Sequence, residues 1–315
     1  MGQMDTSRPP AVQCTQPMPQ THPTTPAPPP TVDVRNLSKT YEEPSGGEIA
    51  AADNVSLACH AGEIFGLLGP NGAGKTTTLR CLATILTPTS GNATIAGYDL
   101  LKEPEMIRRN IGFLSGTTGN YARLTPRETL RFFGAMYGWE KEKLEARVEE
   151  VLKMFDVTSY ADRPNDRLST GMKQRVGLAR AFSIEPKVLL LDEPFAQIDA
   201  LTRGVIQEEL IQMWNTSRNT VFMVTHDVDE AILLSDRILL MTNGPDARIA
   251  EMVQVSIARP RSRETIIEHP HYYKIRNHII HFLVRHAKHE TATSGPSTNG
   301  TPVIVNFEEE SVVTH

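Results

Sequence analysis

The sequence of 315 residues is poor in cysteine: only Cys14, Cys59 and Cys81 occur. An odd number without paired spacing offers neither a disulfide framework nor a zinc-type ligand set, and it suits a reducing cytoplasm. Long apolar runs are missing as well. No stretch approaches the ~18 residues that cross a bilayer as a helix, so the chain reads as one that does not span a membrane. The first 30 residues lack a basic start followed by an apolar stretch, which argues against a secretory signal. Nor is there an excess of positive charge, since 32 Lys and Arg stand against 37 Asp and Glu, a net charge of −5. Such a chain does not bind nucleic acid through overall charge, and no nucleic-acid partner is expected. Its length is ample for one large or two small domains with a real core.

What the sequence does contain is uneven. Residues 1–30 hold nine of the 22 prolines and only two charged side chains, Asp5 and Arg8. A segment of that composition cannot bury enough apolar surface to order itself, so 1–31 is read as a Pro/Thr-rich tail. Residues 290–315 are read as a second tail, mostly disordered, in which the apolar run 303–307 either pairs as a strand or does nothing. Between the tails, strand-like stretches fall at 32–34, 55–58, 64–68, 93–96, 188–191 and 221–225. Two of these are near-continuous apolar runs, as in a central sheet covered on both faces. Thr125-Pro126-Arg127-Glu128 is a capping box that opens a helix through about residue 137. Leu144, Val148, Val151, Leu152 and Phe155 lie on one stripe of a second helix. A third follows Asp199, with Leu201, Val205, Leu210 and Met213 expected inward. The stretch 116–167, helical with little strand signal, reads as an insertion into an α/β core.

The strongest signal is Gly69-Pro70-Asn71-Gly72-Ala73-Gly74-Lys75-Thr76-Thr77, which fits G-x-x-x-x-G-K-[ST]. A strand precedes it and a helix follows, as the motif requires. Its glycines let the backbone curl so that N–H groups point at phosphate oxygens, and the helix N-terminus adds a positive dipole end. Lys75 is then expected on the β- and γ-phosphates and the Thr76 hydroxyl on Mg²⁺. Asp192 and Glu193 close the strand at 187–191, where Asp192 can hold Mg²⁺ and Glu193 can polarise an attacking water. His226 closes the next strand and is expected to bridge the γ-phosphate and that carboxylate.

These residues, in this order, resemble the ATP-binding subunit of an ABC transporter. The identifying piece is Leu168-Ser169-Thr170-Gly171-Met172-Lys173-Gln174-Arg175, whose start is similar to the family signature usually written LSGGQ. The resemblance covers about 32–288 and implies a P-loop NTPase (RecA-like) core with an antiparallel β subdomain and an inserted helical subdomain. It makes 32–255 the nucleotide-binding domain and 256–289 a C-terminal helical extension. It implies that Tyr41 stacks on adenine, that Asp199 is the D-loop aspartate, and that Ser169, Thr170, Gly171 and Met172 act on the ATP of a partner subunit. It implies ATP and Mg²⁺ as ligands, a second ATP-binding subunit, homo- or heterodimeric, and integral-membrane permease subunits. It further implies a cytoplasmic protein held on the inner face of the plasma membrane.

There are departures from the family. Thr170 replaces the first signature glycine and Met172 its glutamine. The string Ile111-Gly-Phe-Leu-Ser115-Gly116 ends in glycine where the family usually has a Mg²⁺-holding glutamine, and no Gln lies between 110 and 125. Ser115 or a water is the expected substitute. The halves also differ. Residues 32–175 resemble sodium-export (ABC-2-type) ATPases, whereas 184–288 resemble nitrate, sulfonate and taurine import ATPases. The longer importer-like strings tilt the reading to import, with a solute-binding protein as a further partner. Export is the alternative, and a soluble or regulatory ABC ATPase a remote one. Arg259-Pro-Arg261-Ser-Arg263 is read as a solvated basic run, the other reading being a contact with anionic lipid or the permease. Seven of the ten histidines follow residue 268; His278, His281 and Arg285 share one face of the predicted helix there and are read as a solvated polar face, the other reading being a metal site.

Overall fold

A computed structural model describes residues 29–42, 46–116, 121–244, 247–287 and 302–307. The proline-rich start and most of the C-terminal tail lie outside the described residues. From the N-terminus, β1 (Val32–Glu42) pairs antiparallel with β2 (Glu48–Cys59), and β3 (Ile64–Leu68) leads into α1 (Lys75–Leu82). β4 (Ser90–Ile95) and β5 (Tyr98–Asp99) complete a four-stranded antiparallel sheet in the order β2-β1-β4-β5. α2 (Pro104–Asn110) precedes β6 (Ile111–Ser115). Then come α3 (Pro126–Met136), α4 (Lys141–Met154) and α5 (Thr170–Ser183). β7 (Val188–Asp192), α6 (Ala200–Ser217), β8 (Thr220–Val224), α7 (Val228–Leu234) and β9 (Arg237–Met241) alternate after them. β10 (Ile249–Gln254), α8 (Arg263–Ile266), α9 (Pro270–Ala287) and β11 (Val303–Val305) close the chain.

The second sheet has the order β11-β10-β9-β3-β8-β7-β6. Its five strands from β9 to β6, the last an edge strand, are parallel. Every residue of β3, β7 and β8 is buried, which explains their continuous apolar sequences. Alternate residues serve two cores. Phe65, Leu67, Phe222 and Val224 face the antiparallel sheet and α1, while Ile64, Leu68, Val221 and Met223 face the helices. The parallel arrangement brings the carboxyl ends of β3, β6, β7 and β8 to one edge, where ligands of such sheets bind.

The capping box at Thr125 forms: Glu128 N donates to Thr125 Oγ1 (3.2 Å) and Thr125 N to Glu128 Oε2 (2.9 Å). Two expectations need correction. On α6, Leu201 is 85% and Val205 48% exposed, while Ile206, Leu210, Met213 and Trp214 are buried. Leu210 and Met213 face inward as expected, whereas in the first turns the buried side runs through Gly204, Ile206 and Gln207 in place of Leu201 and Val205. The basic run is not uniformly solvated. Arg259 pairs with Asp236 (2.8 Å), and buried Arg261 donates to the carbonyls of Ile257 (2.8 Å), Ile232 (3.1 Å) and Ser235 (2.6 Å). Its guanidinium satisfies backbone carbonyls at the end of α7 and after β10, and burial lowers its pKa to about 10. The apolar run near the C-terminus does pair, β11 lying parallel to β10 with Met252 opposite Ile304.

Candidate functional site

The loop after β3 is shaped by glycine. Gly72 and Gly74 adopt φ of +82° and +80°, conformations in which L side chains are strained. A Cβ on Gly74 would lie 1.9 Å from the Ala51 carbonyl oxygen of β2, so the loop is pressed against the antiparallel sheet. α1 starts at Lys75 with its first amides turned into the loop. Lys75 Nζ donates to the carbonyls of Gly69 and Pro70, both at 2.8 Å. Burial holds its ammonium below its usual pKa, and the carboxylates of Glu193 and Asp192 oppose that shift.

Thr76 Oγ1 donates to Asp192 Oδ1 at 2.9 Å, joining the start of α1 to the end of β7. Both are hard oxygen donors of the kind Mg²⁺ takes, so the pair fits that ion. Burial raises the Asp192 carboxyl, and the bond from Thr76 pulls it back. Glu193 has φ +48°, and its N–H donates to Val224 O of β8 (2.9 Å). That turn carries its carboxylate out of the strand, where Oε1 lies 3.5 Å from His226 Nδ1. Asn71 to Thr77, Glu193 and Ile49 to Ala51 line one cavity of about 800 Å³.

The other expected residues lie elsewhere. Tyr41 is 42% exposed and pairs across β1–β2 with Ile49, a lining residue, without lining the cavity itself. Ser169 caps α5 and accepts from Met172 N (3.3 Å), with Thr170, Gly171 and Met172 in the first turn. Asp199 caps α6 and accepts from Thr202 N (3.0 Å), which holds its carboxyl below the usual range. The two helix starts abut, since a Cβ on Gly171 would meet Thr202 Cγ2 at 2.6 Å. None of Ser169 to Met172, nor Asp199, lines the cavity. At the departure from the family, Gly116 N donates to Asp192 O (2.8 Å), and Ser115 stands opposite Asp192 in register. A Cβ at Gly116 would come within 3.0 Å of Glu193 O, so backbone fills the space a longer residue would need.

Sequence reasoning missed several contributors. The Gln174 amide donates to Pro194 O and ties the helix after Ser169 to the turn after Glu193. Gln174 belongs to the signature string, but nothing in that string indicates this contact. Asn243 and Gly244 also line the cavity, arriving after β9 with no motif around them.

The ABC transporter family profile matches residues 52–196. The bicarbonate transport ATP-binding protein CmpD of Synechocystis sp. is 38% identical over 262 residues, 82% of this chain and 90% of that protein. CmpC of Synechococcus elongatus is 40% identical over 253 residues, 80% of this chain and 38% of that protein. The nitrate import ATP-binding protein NrtC of Synechococcus elongatus is 39% identical, with 79% and 38% covered. The chain thus spans about two-fifths of CmpC and NrtC and nearly all of CmpD. A dimeric post-hydrolysis structure of the ATP-binding cassette MJ0796, bound to ADP and Pi, superposes with a TM-score of 0.63 at 28% identity. It covers 72% of this chain and all of that one. By its phosphate loop, its two carboxylates and these relatives, the chain belongs to the ABC transporter ATP-binding family.

Proposed function

We propose that this chain binds and hydrolyses ATP with Mg²⁺ and powers import through a separate membrane permease. The observation that carries the reading is the convergence of Lys75, the Thr76–Asp192 pair and the Glu193–His226 pair on one edge of the parallel sheet. Lys75 and the loop amides take the charge of the β- and γ-phosphates. Thr76 and Asp192 hold Mg²⁺, which when bound neutralises phosphate charge. Glu193 accepts the proton of the attacking water, and His226 orients that carboxylate and donates toward the γ-phosphate. Tyr41, across the strand pair from Ile49, stacks on adenine at the rim. Ser169 to Met172 offer a capped helix N-terminus to the γ-phosphate of a second subunit, and Asp199 stands beside them.

Import is favoured because CmpD, CmpC and NrtC are named for bicarbonate transport and nitrate import. Their alignments run over 253–262 residues, too long to lie within the importer-like half alone. The proposed cargo class is therefore a small inorganic oxyanion. A groove of about 560 Å³ between the helical insertion and β6, with Phe113, Tyr121, Phe133 and Arg180 in its walls, is the surface offered to the permease. No helix among the described residues is long and apolar enough to cross a membrane, in keeping with a peripheral place on the inner face. Residues 32–255 are taken as the ATP-binding domain, with 116–167 its helical insertion and 256–289 its extension.

Glu193→Gln tests the hydrolytic reading. Steady-state ATPase should fall on the order of 10²–10⁴-fold, and equal rates in variant and parent would sink it. The same variant, held with ATP and purified in mild detergent, should bring down a permease together with a solute-binding protein. A permease alone would turn the reading to export.

A further inference from the structure

Outside the nucleotide site, charged contacts tie the segment around Asp199 to the segment around His226. Arg203, in the first turn of α6, donates from Nη2 to Ile198 O (3.1 Å), one residue before Asp199. Its Nη1 lies 3.3 Å from Asp227 Oδ2, one residue after His226. Asp227 in turn caps α7, accepting from Asp229 N (3.0 Å) and Glu230 N (3.1 Å). Deeper in, Gln207 of α6 and Thr225 both donate to the Glu230 carboxylate.

The C-terminal extension grips both ends of this bridge. Tyr272 OH and Arg276 Nε, from α9, each donate to Asp229 Oδ1 at 2.7 Å. Arg263, from α8, donates to Ala200 O (3.2 Å), next to Asp199. Its guanidinium lies over Gly204, where a Cβ would come within 2.6 Å of Nη1. These contacts are not what holds the extension down, because Ile275, Ile279 and Phe282 already bury its apolar face in the core. The Asp229 side chain is half exposed, and ion pairs so exposed contribute little to stability. What they do fix is geometry: three polar side chains of one appendage reach the residues adjoining Asp199 and the first turn of the helix beyond His226.

We propose that α8 and α9 are a positioning element for hydrolysis, setting Asp199 and His226 relative to each other, with Arg203 as the relay between them. This rests on the reading of Glu193 and His226 as hydrolytic and Asp199 as partner-facing. None of Arg203, Arg263, Tyr272 or Arg276 touches ATP in this account; each acts through another residue.

The test uses the full-length protein with Tyr272→Phe/Arg276→Gln, Arg203→Ala and Arg203→Lys. The expected result is a kcat lowered roughly 5- to 30-fold with KM for ATP little changed, as displacement of catalytic groups predicts. Tm should move by no more than about 3 °C, the scale of a weak surface pair. Amide exchange without nucleotide should quicken at 198–204 as well as at 226–231 in Tyr272→Phe/Arg276→Gln. Arg203→Lys should fall between parent and Arg203→Ala, since lysine keeps the charge but loses the fork that spans two acceptors. Faster exchange confined to 226–231, or unchanged kcat with exchange unchanged at 198–204, would overturn the proposal. If the parent itself hydrolyses no ATP, the motor reading fails, and the exchange at 198–204 alone decides the positioning claim.

Discussion

Lys75 turns its ammonium onto two carbonyls of its own loop, Gly69 and Pro70, in a site where burial already disfavours the charge. Phosphate oxygens are better partners for that ammonium than neutral carbonyls. Lys75→Ala should therefore weaken ATP binding by about 1.5–3 kcal/mol, roughly 10- to 150-fold in Kd. Calorimetry showing unchanged affinity would remove Lys75 from the phosphate contacts. Glu230 gives a second residue-level test. Burial pushes its carboxyl up to about 7, against hydrogen bonds from Thr225 and Gln207 that pull it down. An unfolded glutamate titrates near 4.3. Between about 4.3 and 7 the folded chain thus binds more protons, so stability falls as pH rises through that window and levels off above it. Glu230→Gln, which cannot ionise, should gain in Tm on the parent from pH 5 to pH 8, and a difference independent of pH would show that Glu230 titrates normally. The phosphate-loop residues were legible because the motif is contiguous. Arg203 was not, because Asp227 lies 24 residues along the chain and nothing local marks the pair.

Among the elements, legibility followed burial on both faces. β3, β7 and β8 announce themselves as apolar runs, and α3 through its capping box. On α6, Leu210 and Met213 were read correctly, but the first turns were misjudged because Gly204 and Gln207 belong to the buried side there and break the apolar period. The basic run misled for a related reason: Arg261 reads as surface in any sequence, yet four backbone carbonyls accept from its guanidinium inside the fold. β11 was left open, and its packing explains why. Val303 and Ile304 are 62% and 59% exposed, while Val305 and Phe307 pack on the core. Phe307 meets the ring of His278 at 5.7 Å, and His278 Nε2 lies 2.6 Å from Glu251 Oε2 of β10. A chain ended before Pro302 should lose about 1–2 kcal/mol of burial, which is roughly 2–8 °C in Tm for a domain of this size. ATPase rate should stay at the parent's level, as β11 pairs only with β10 at the far side of the sheet from β6. A rate that fell with the strand would tie the tail to the site.

For the whole molecule, half of the predicted machinery lies outside the cavity that the phosphate loop helps to form. Ser169 and Asp199 cap neighbouring helices and are exposed, and Leu201 beside Asp199 is 85% exposed. We read exposed Leu201 and the capped start of α5 as the face that a second subunit would meet. The MJ0796 cassette, whose fold this chain shares, was solved as a dimer. Glu193→Gln with ATP should therefore run as a dimer by size exclusion and as a monomer without nucleotide. Adding Ser169→Arg sets a cation against the helix N-terminus and removes the cap, at about 1 kcal/mol of stability. That double variant should still bind ATP with the affinity of Glu193→Gln, because Ser169 does not line its own subunit's cavity, yet it should remain monomeric. A loss of ATP affinity in the isolated monomer would instead put Ser169 on the nucleotide of its own chain. Persistence of the dimer would move the contact surface away from the start of α5 altogether.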